Sequence, residues 1–254
     1  MGGERVTEDA WSGRVLAAFS ASAAQYDAAA GLQRAVAWRL AGLCHRQAIP
    51  PGVWMDLGSG TGRLADDLER LHPGQSVLRV DGSAAMLSRH GPRANTRLLD
   101  LNRALPKSTP AATLLCSSFV LHWLEAPAET LQQWFQQLDC GGWLAIAVPV
   151  AGSFWQWHEA AAISGVPCTA LAFPAQQELL RDIPRTAIRH QQLHRFSRSA
   201  RRPLDLLRPM ITTGAGTSRS QGLGPVQWRQ LARAWPDPLH PRLTWHVLTL
   251  MLRR

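Results

Sequence analysis

Val53-Trp54-Met55-Asp56-Leu57-Gly58-Ser59-Gly60-Thr61-Gly62 is an apolar run that closes on an acid and then breaks into alternating glycines. A short apolar run bounded by glycine reads as a buried parallel strand. Arg63 to Leu71 carries Leu64, Leu68 and Leu71 at helical spacing and reads as the helix that follows. The chain therefore turns sharply at a strand's carboxyl end, where open α/β sheets bind ligands. Glycine at 58, 60 and 62 keeps side chains out of a ligand's way and permits positive φ. The G-x-G-x-G spacing, with Asp56 just ahead of it, differs from the G-x-G-x-x-G of dinucleotide sites. By itself such a turn also fits a structural bend or another nucleotide.

This pattern resembles motif I of the Rossmann-like S-adenosylmethionine (SAM) methyltransferases. The next strand, Val77-Leu78-Arg79-Val80, ends in Asp81. That acid lies about 20 residues beyond the glycines, where a carboxylate can accept from both ribose hydroxyls. An ordinary turn acid is the alternative. A third strand, Thr96 to Leu99, ends in Asp100-Leu101-Asn102, and Asp100 falls where the resemblance implies contact with the adenine amino group.

Around this nucleus strands and helices alternate, which argues a parallel sheet covered on both faces. Pro50-Pro51-Gly52 ends a helix cleanly, Ser83 can cap the helix carrying Met86 and Leu87, and Pro127 to Leu138 reads as a helix with proline early in it. Ala112 to Ser117 and Trp143 to Val150 read as strands four and five. Beyond them, Phe154 to Ile163, Ala175 to Leu180, Pro203 to Ile211 and Pro225 to Trp235 read as helices, and Ala187 to Phe196 and Leu243 to Leu252 as strands. Gly214 to Gly224 suits a mobile loop. Residues 1 to 13 read as a disordered lead-in to a single domain over 14 to 254. Within it, residues 14 to 49 form a helical lid and 197 to 238 a helical cover. The fold expected is α/β. The resemblance implies a seven-stranded Rossmann-like sheet with its last strand antiparallel.

The chain has 254 residues, 46% of them hydrophobic, enough for a sizeable core. Cys44, Cys116, Cys140 and Cys168 are scattered, without C-x-x-C or histidines at metal spacing, which suits reduced thiols in a cytoplasmic protein without a bound metal. The polar, acidic start does not read as a signal peptide, and no apolar run approaches membrane-spanning length. A formal charge of +9 implies either a solvated basic surface or an acidic protein partner. Basic and aromatic residues do not interleave as in nucleic-acid modules.

A closer resemblance covers residues 14 to 252. Phe19-Ser20-Ala21-Ser22-Ala23-Ala24-Gln25-Tyr26-Asp27 with Leu32-Gln33 is similar to the opening of the malonyl-[acyl-carrier-protein] O-methyltransferases of biotin synthesis, the BioC family. Ser117-Ser118-Phe119-Val120-Leu121-His122-Trp123 resembles that family's S-N-L-A-L-Q-W. Ala234-Trp235-Pro236, Leu243-Thr244-Trp245-His246-Val247 and Gly214-Ala215-Gly216 match its carboxyl-terminal motifs. Ser59, Ser118, His122 and Trp245 depart from the family's cysteine, asparagine, glutamine and tyrosine. The resemblance implies SAM as methyl donor, S-adenosylhomocysteine as product, and a malonyl thioester of an acidic acyl carrier protein or coenzyme A as acceptor, on a monomer. Expected cofactor contacts are Asp56, Gly58, Gly60, Gly62, Asp81, Gly82, Asp100, Leu101 and Ser117. Tyr26, Trp123 and His122 are the candidates for the methyl-transfer pocket, with half-buried packing the alternative for Tyr26 and core the alternative for Trp123. A carboxylate acceptor also calls for a guanidinium, and Arg198, Arg201 and Arg202 lie in the covering segment, where solvation or carrier docking competes with that role. Rival readings are a methyltransferase of another small carboxylic acid or quinone precursor, and a basic nucleic-acid- or SAM-binding protein without methyl transfer.

Overall fold

The computed structural model describes residues 3–103, 105, 111–219 and 222–254, with side chains from residue 11 onward. The first two residues of the expected lead-in and residues 220–221 of the glycine-rich loop lie outside the described residues. Helices α1 (Gly3–Ser22), α2 (Tyr26–Ala29) and α3 (Gly31–His45) precede the sheet. The lead-in expected to be disordered is instead the first half of α1. Trp11 accounts for the difference. It is 2% exposed, stacks on Trp123 at 6.2 Å between ring centroids, and donates its indole N–H to the Trp123 carbonyl at 3.3 Å. An indole buried with its donor satisfied anchors a helix whose own polar pattern is weak.

From there the chain runs β1 (Val53–Leu57), α4 (Arg63–Leu71), β2 (Val77–Asp81), α5 (Ala84–Leu87), β3 (Thr96–Leu98), β4 (Ala112–Ser118), α6 (Pro127–Gln136) and β5 (Leu138–Pro149). Ser83 caps α5, accepting from the Met86 N–H at 3.2 Å. The helix expected to reach Leu138 stops at Gln136, because Leu138 already pairs with Ala112 as the first residue of β5. Gly141, at φ +79, lies within a register shift, so the strand expected from Trp143 starts earlier and carries a bulge at Cys140-Gly141-Gly142.

The remaining elements are α7 (Trp155–Ser164), α8 (Gln176–Leu179), β6 (Ile188–Ser199), α9 (Arg208–Thr212), α10 (Pro225–Arg233) and β7 (Arg242–Arg253). The expected helix over 203–211 is two pieces, a short 3₁₀ turn at Pro203–Leu206 and then α9. Pro209 has no N–H to continue a ladder and is favoured at a helix start, so it marks the break. The first residues of the expected helical cover, Ser197–Ser199, instead finish β6.

The sheet has seven strands in the order β3-β2-β1-β4-β5-β7-β6. β1 to β5 run parallel, and β7 lies antiparallel between β5 and β6, as the resemblance implied. Strand alternation separates two apolar layers. Leu115, Leu144 and Ile146 belong to one, and Leu114, Cys116 and Ala145 to the other with Leu40 of α3 and Leu68 of α4. The strand order reverses between β1 and β4, which opens a crevice at their carboxyl ends. Among the described residues, no helix is long and apolar enough to cross a membrane.

Candidate active site

The crevice holds three adjoining chambers. The first is lined by Gly58, Gly60, Asp81, Gly82, Asp100 and Leu101. Asp81, at the tip of β2, accepts from the Gly60 N–H and the Ser83 N–H, both at 2.8 Å. Burial raises its carboxyl, against those backbone donors. Asp100 accepts from the Asn102 N–H at 3.0 Å, which fixes the tip of the third strand. Phe119, Trp123 and Leu16 also line this chamber.

Asp56, Ser59, Gly60, Thr61, Arg34 and Arg63 line the second chamber. Asp56 is 1% exposed, and its Oδ2 has no protein partner. Burial pushes its carboxyl up to about 7, against the Ala65 N–H and the Arg79 charge. A buried, unpartnered carboxylate oxygen facing a chamber is a seat for a cationic group. Gly60 has φ +52, and a Cβ built there would meet nothing within 4 Å, so its backbone faces open space. Thr61 and Arg63 both donate to Asp27, at 2.7 and 2.8 Å, tying α2 to the glycine turn.

The third chamber is larger, about 500 Å³, and rich in aromatic residues. Phe19, Phe154, Phe173, Phe196 and Trp245 wall it, with Pro209 and Met210 of α9 on one side. It shares Phe19, Tyr26, Phe119 and Trp123 with the first chamber, and Tyr26 and Gln33 with the second. Tyr26 is thus the one expected site residue on all three. Burial, then the charges of Asp81 and Asp27, hold its phenol well above the ordinary value, so it remains a hydrogen-bond donor. Phe119 takes φ +59 at the strand tip, a conformation costly for a bulky residue and held here by its N–H bond to the Ala147 carbonyl at 2.8 Å. His122 lines the third chamber beside Phe173 and Trp123, with Nδ1 unpartnered. Burial pushes its imidazole down to about 3, so it stays neutral near pH 7.

Two expected contacts lie elsewhere. Ser117 points into the sheet and donates to the Leu57 carbonyl at 2.7 Å, while its neighbour Ser118 lines the first two chambers with an unpartnered hydroxyl. Gly62 turns away from the chambers. It opens α4 at φ +94, and a Cβ there would lie 2.8 Å from the His90 ring. Gly58 does line the first two, yet its missing side chain is also a packing need, since a Cβ would fall 2.2 Å from Val120 Cγ2. Sequence reasoning missed Trp11 and Arg34. Arg34 stands directly after the Leu32-Gln33 pair, so the amino-terminal motif held the signal.

A family model described as a methyltransferase domain matches residues 21–202. The chain belongs to this methyltransferase family. It is 29% identical over 218 residues to the malonyl-[acyl-carrier protein] O-methyltransferase of Herminiimonas arsenicoxydans, across 83% of this chain and 82% of that relative. It is 31% identical over 131 residues to the trans-aconitate 2-methyltransferase of Mycobacterium tuberculosis, across 51% of this chain and 47% of that one. The fold matches a methyltransferase structure from Bacillus halodurans, described as putative, at TM-score 0.58 and 12% identity, over 84% of this chain and 97% of that chain. It also matches the plantazolicin methyltransferase BpumL, solved with a monoazolic desmethylPZN analogue and SAH, at TM-score 0.53 and 14% identity, over 98% of this chain and 99% of that chain. The protein is a SAM-dependent methyltransferase. The unpartnered Asp56 oxygen and the open backbone at Gly60 suit the cofactor's cationic methionyl end.

Proposed function

We propose that this methyltransferase esterifies the free carboxylate of a malonyl thioester, carried by acyl carrier protein or coenzyme A, in biotin synthesis. One observation carries the reading. The acceptor chamber is apolar, and among the described residues its lining includes one guanidinium, Arg198, and no carboxylate. That suits an acceptor with a single carboxylate at the reacting end of a largely apolar stem. A tricarboxylate such as trans-aconitate would bring more negative charge than one cation offsets. The malonyl-[acyl-carrier protein] relative, matched over most of both chains, supports the same choice.

Within this reading Asp81 takes the ribose hydroxyls, Asp100 and Leu101 meet the adenine, and Gly58, Gly60 and Gly82 let the backbone approach closely. Asp56 holds the methionyl ammonium, and Arg34 is the cation for the methionyl carboxylate. Bound SAM supplies a methyl group already activated on a sulfonium. A malonyl carboxylate is ionised at pH 7, so the chain needs no general base, in keeping with a neutral His122. Tyr26 donates its hydroxyl to orient the nucleophile, and Phe119 and Trp123 exclude water from it. Incubation with labelled SAM and malonyl-carrier protein should give a base-labile methyl ester by intact mass. Methylation of trans-aconitate with none on the thioester would refute the assignment.

A further inference from the structure

Arg198 lines the acceptor chamber but neither of the two cofactor chambers. The residues shared with the cofactor chambers are Phe19, Tyr26, Gln33, Phe119 and Trp123, none of them charged. There Phe119 and Trp123 are buried, at 8% and 7% exposed, and Phe19, Tyr26 and Gln33 are partly buried. Arg198 also lines the chamber but is itself exposed, near the end of β6, where strand alternation puts it on the same face as Phe196. It is also uncommitted. Asp205 is engaged by Arg202 and Arg208, each at 3.5 Å, and Arg198 makes no ion pair among the described residues. A chamber of about 500 Å³ is far larger than a malonyl group and is in the range that holds drug-sized ligands.

From this we infer that Arg198 binds a second anion of the acceptor, the phosphate of a phosphopantetheine arm, at the exposed side of the chamber. The carboxylate to be methylated lies beside the cofactor chambers, met by the uncharged donors Tyr26 and Gln33. The inference rests on the malonyl-thioester reading. Its physical sense is a division of labour. A guanidinium grips phosphate through a planar fork. A carboxylate stripped of water and left without a partner cation remains the stronger nucleophile.

The test uses two acceptors that differ only in that phosphate, malonyl-phosphopantetheine and malonyl-pantetheine, with the parent protein and Arg198→Leu. The parent should favour the phosphorylated thioester in kcat/KM by about tenfold, the size of one charge-assisted contact. Arg198→Leu should abolish that preference through KM while leaving malonyl-pantetheine turnover unchanged, and Arg198→Lys should restore part of it. An equal loss on both acceptors would place Arg198 on the acyl carboxylate and overturn the inference. So would a preference that survives the substitution. Turnover of neither acceptor by the parent would instead refute the malonyl-thioester reading beneath it.

Discussion

If Asp56 holds the cofactor's ammonium, it must do so as a carboxylate, and its burial makes that state cost something near neutrality. The carboxyl is 1% exposed and pushed up to about 7, chiefly by burial. A group titrating there is about one-tenth ionised at pH 6 and about nine-tenths at pH 8, so the Kd for S-adenosylhomocysteine should tighten about tenfold between them. The gain should level off above about pH 8, where free α-amino groups lose their charge. Asp56→Asn keeps the side-chain volume and should bind weakly with no such pH dependence. Stability of the cofactor-free protein moves the other way. A carboxyl raised in the fold binds more protons folded than unfolded, so stability falls as pH climbs from about 4 to 7. Ionising Asp56 inside costs on the order of 4 kcal/mol more than in the unfolded chain. Spared that cost, the Asn variant should melt higher than the parent at pH 8 while binding cofactor worse. Calorimetric titration at pH 6, 7 and 8, with thermal melts of the cofactor-free protein, measures both. A parent Kd that stays flat over this range, or an Asn variant that melts lower at pH 8, would refute the reasoning.

The glycines should separate by function. Gly60→Ala should cost about 1–2 kcal/mol of stability for its positive φ and weaken cofactor binding by calorimetry. Gly58→Ala should lower the melting temperature sharply by collision with Val120, and adding Val120→Ala should recover part of it. Trp11→Ala should cost about 3–5 kcal/mol in urea unfolding; a loss under about 1 kcal/mol would mean that α1 does not dock through this ring. The formal charge of +9 predicts that kcat/KM for malonyl-carrier protein falls steeply from low to moderate salt while that for malonyl-pantetheine barely moves. Equal responses would remove the case for electrostatic docking of the carrier.

The nucleotide half of the fold was legible because its signals are local. An apolar run ending in Asp56, glycines that must take positive φ, and an acid at the tip of β2 are each written within a few residues. What escaped sequence reasoning depends on partners far along the chain. Trp11 gave no sign of order until Trp123 was set against it, and Leu138 joins β5 only because Ala112 is its neighbour. Ser117 and Ser118 differ by a single strand position, and alternation sends one hydroxyl to the Leu57 carbonyl and the other to the chambers. Nothing local distinguishes them. Arg198 was one of three arginines the sequence offered for the acceptor, and only the cavity singles it out.

The amino-terminal cover depends on the cofactor turn for its own order. α2 is four residues long and has no side-chain cap, so it has little helical stability of its own. Against burial, which raises it, hydrogen bonds from Thr61 and Arg63 hold the Asp27 carboxyl below the ordinary range. Asp27 and Arg63 are about half exposed, at 40% and 48%, so their ion pair contributes only about 0.2–1 kcal/mol. That is enough to bias the position of Tyr26 and too little to lock it. The Ser20 and Ser83 hydroxyls, 2.7 Å apart, make a second small tie between α1 and the loop after β2. Both ties reach the loops that border the cofactor chambers, at Thr61 and Ser83, so whatever orders those loops also steadies the phenol at the junction of the three chambers. On the proposed reading, Tyr26 is therefore best ordered as a donor to the acceptor when the cofactor chambers are filled.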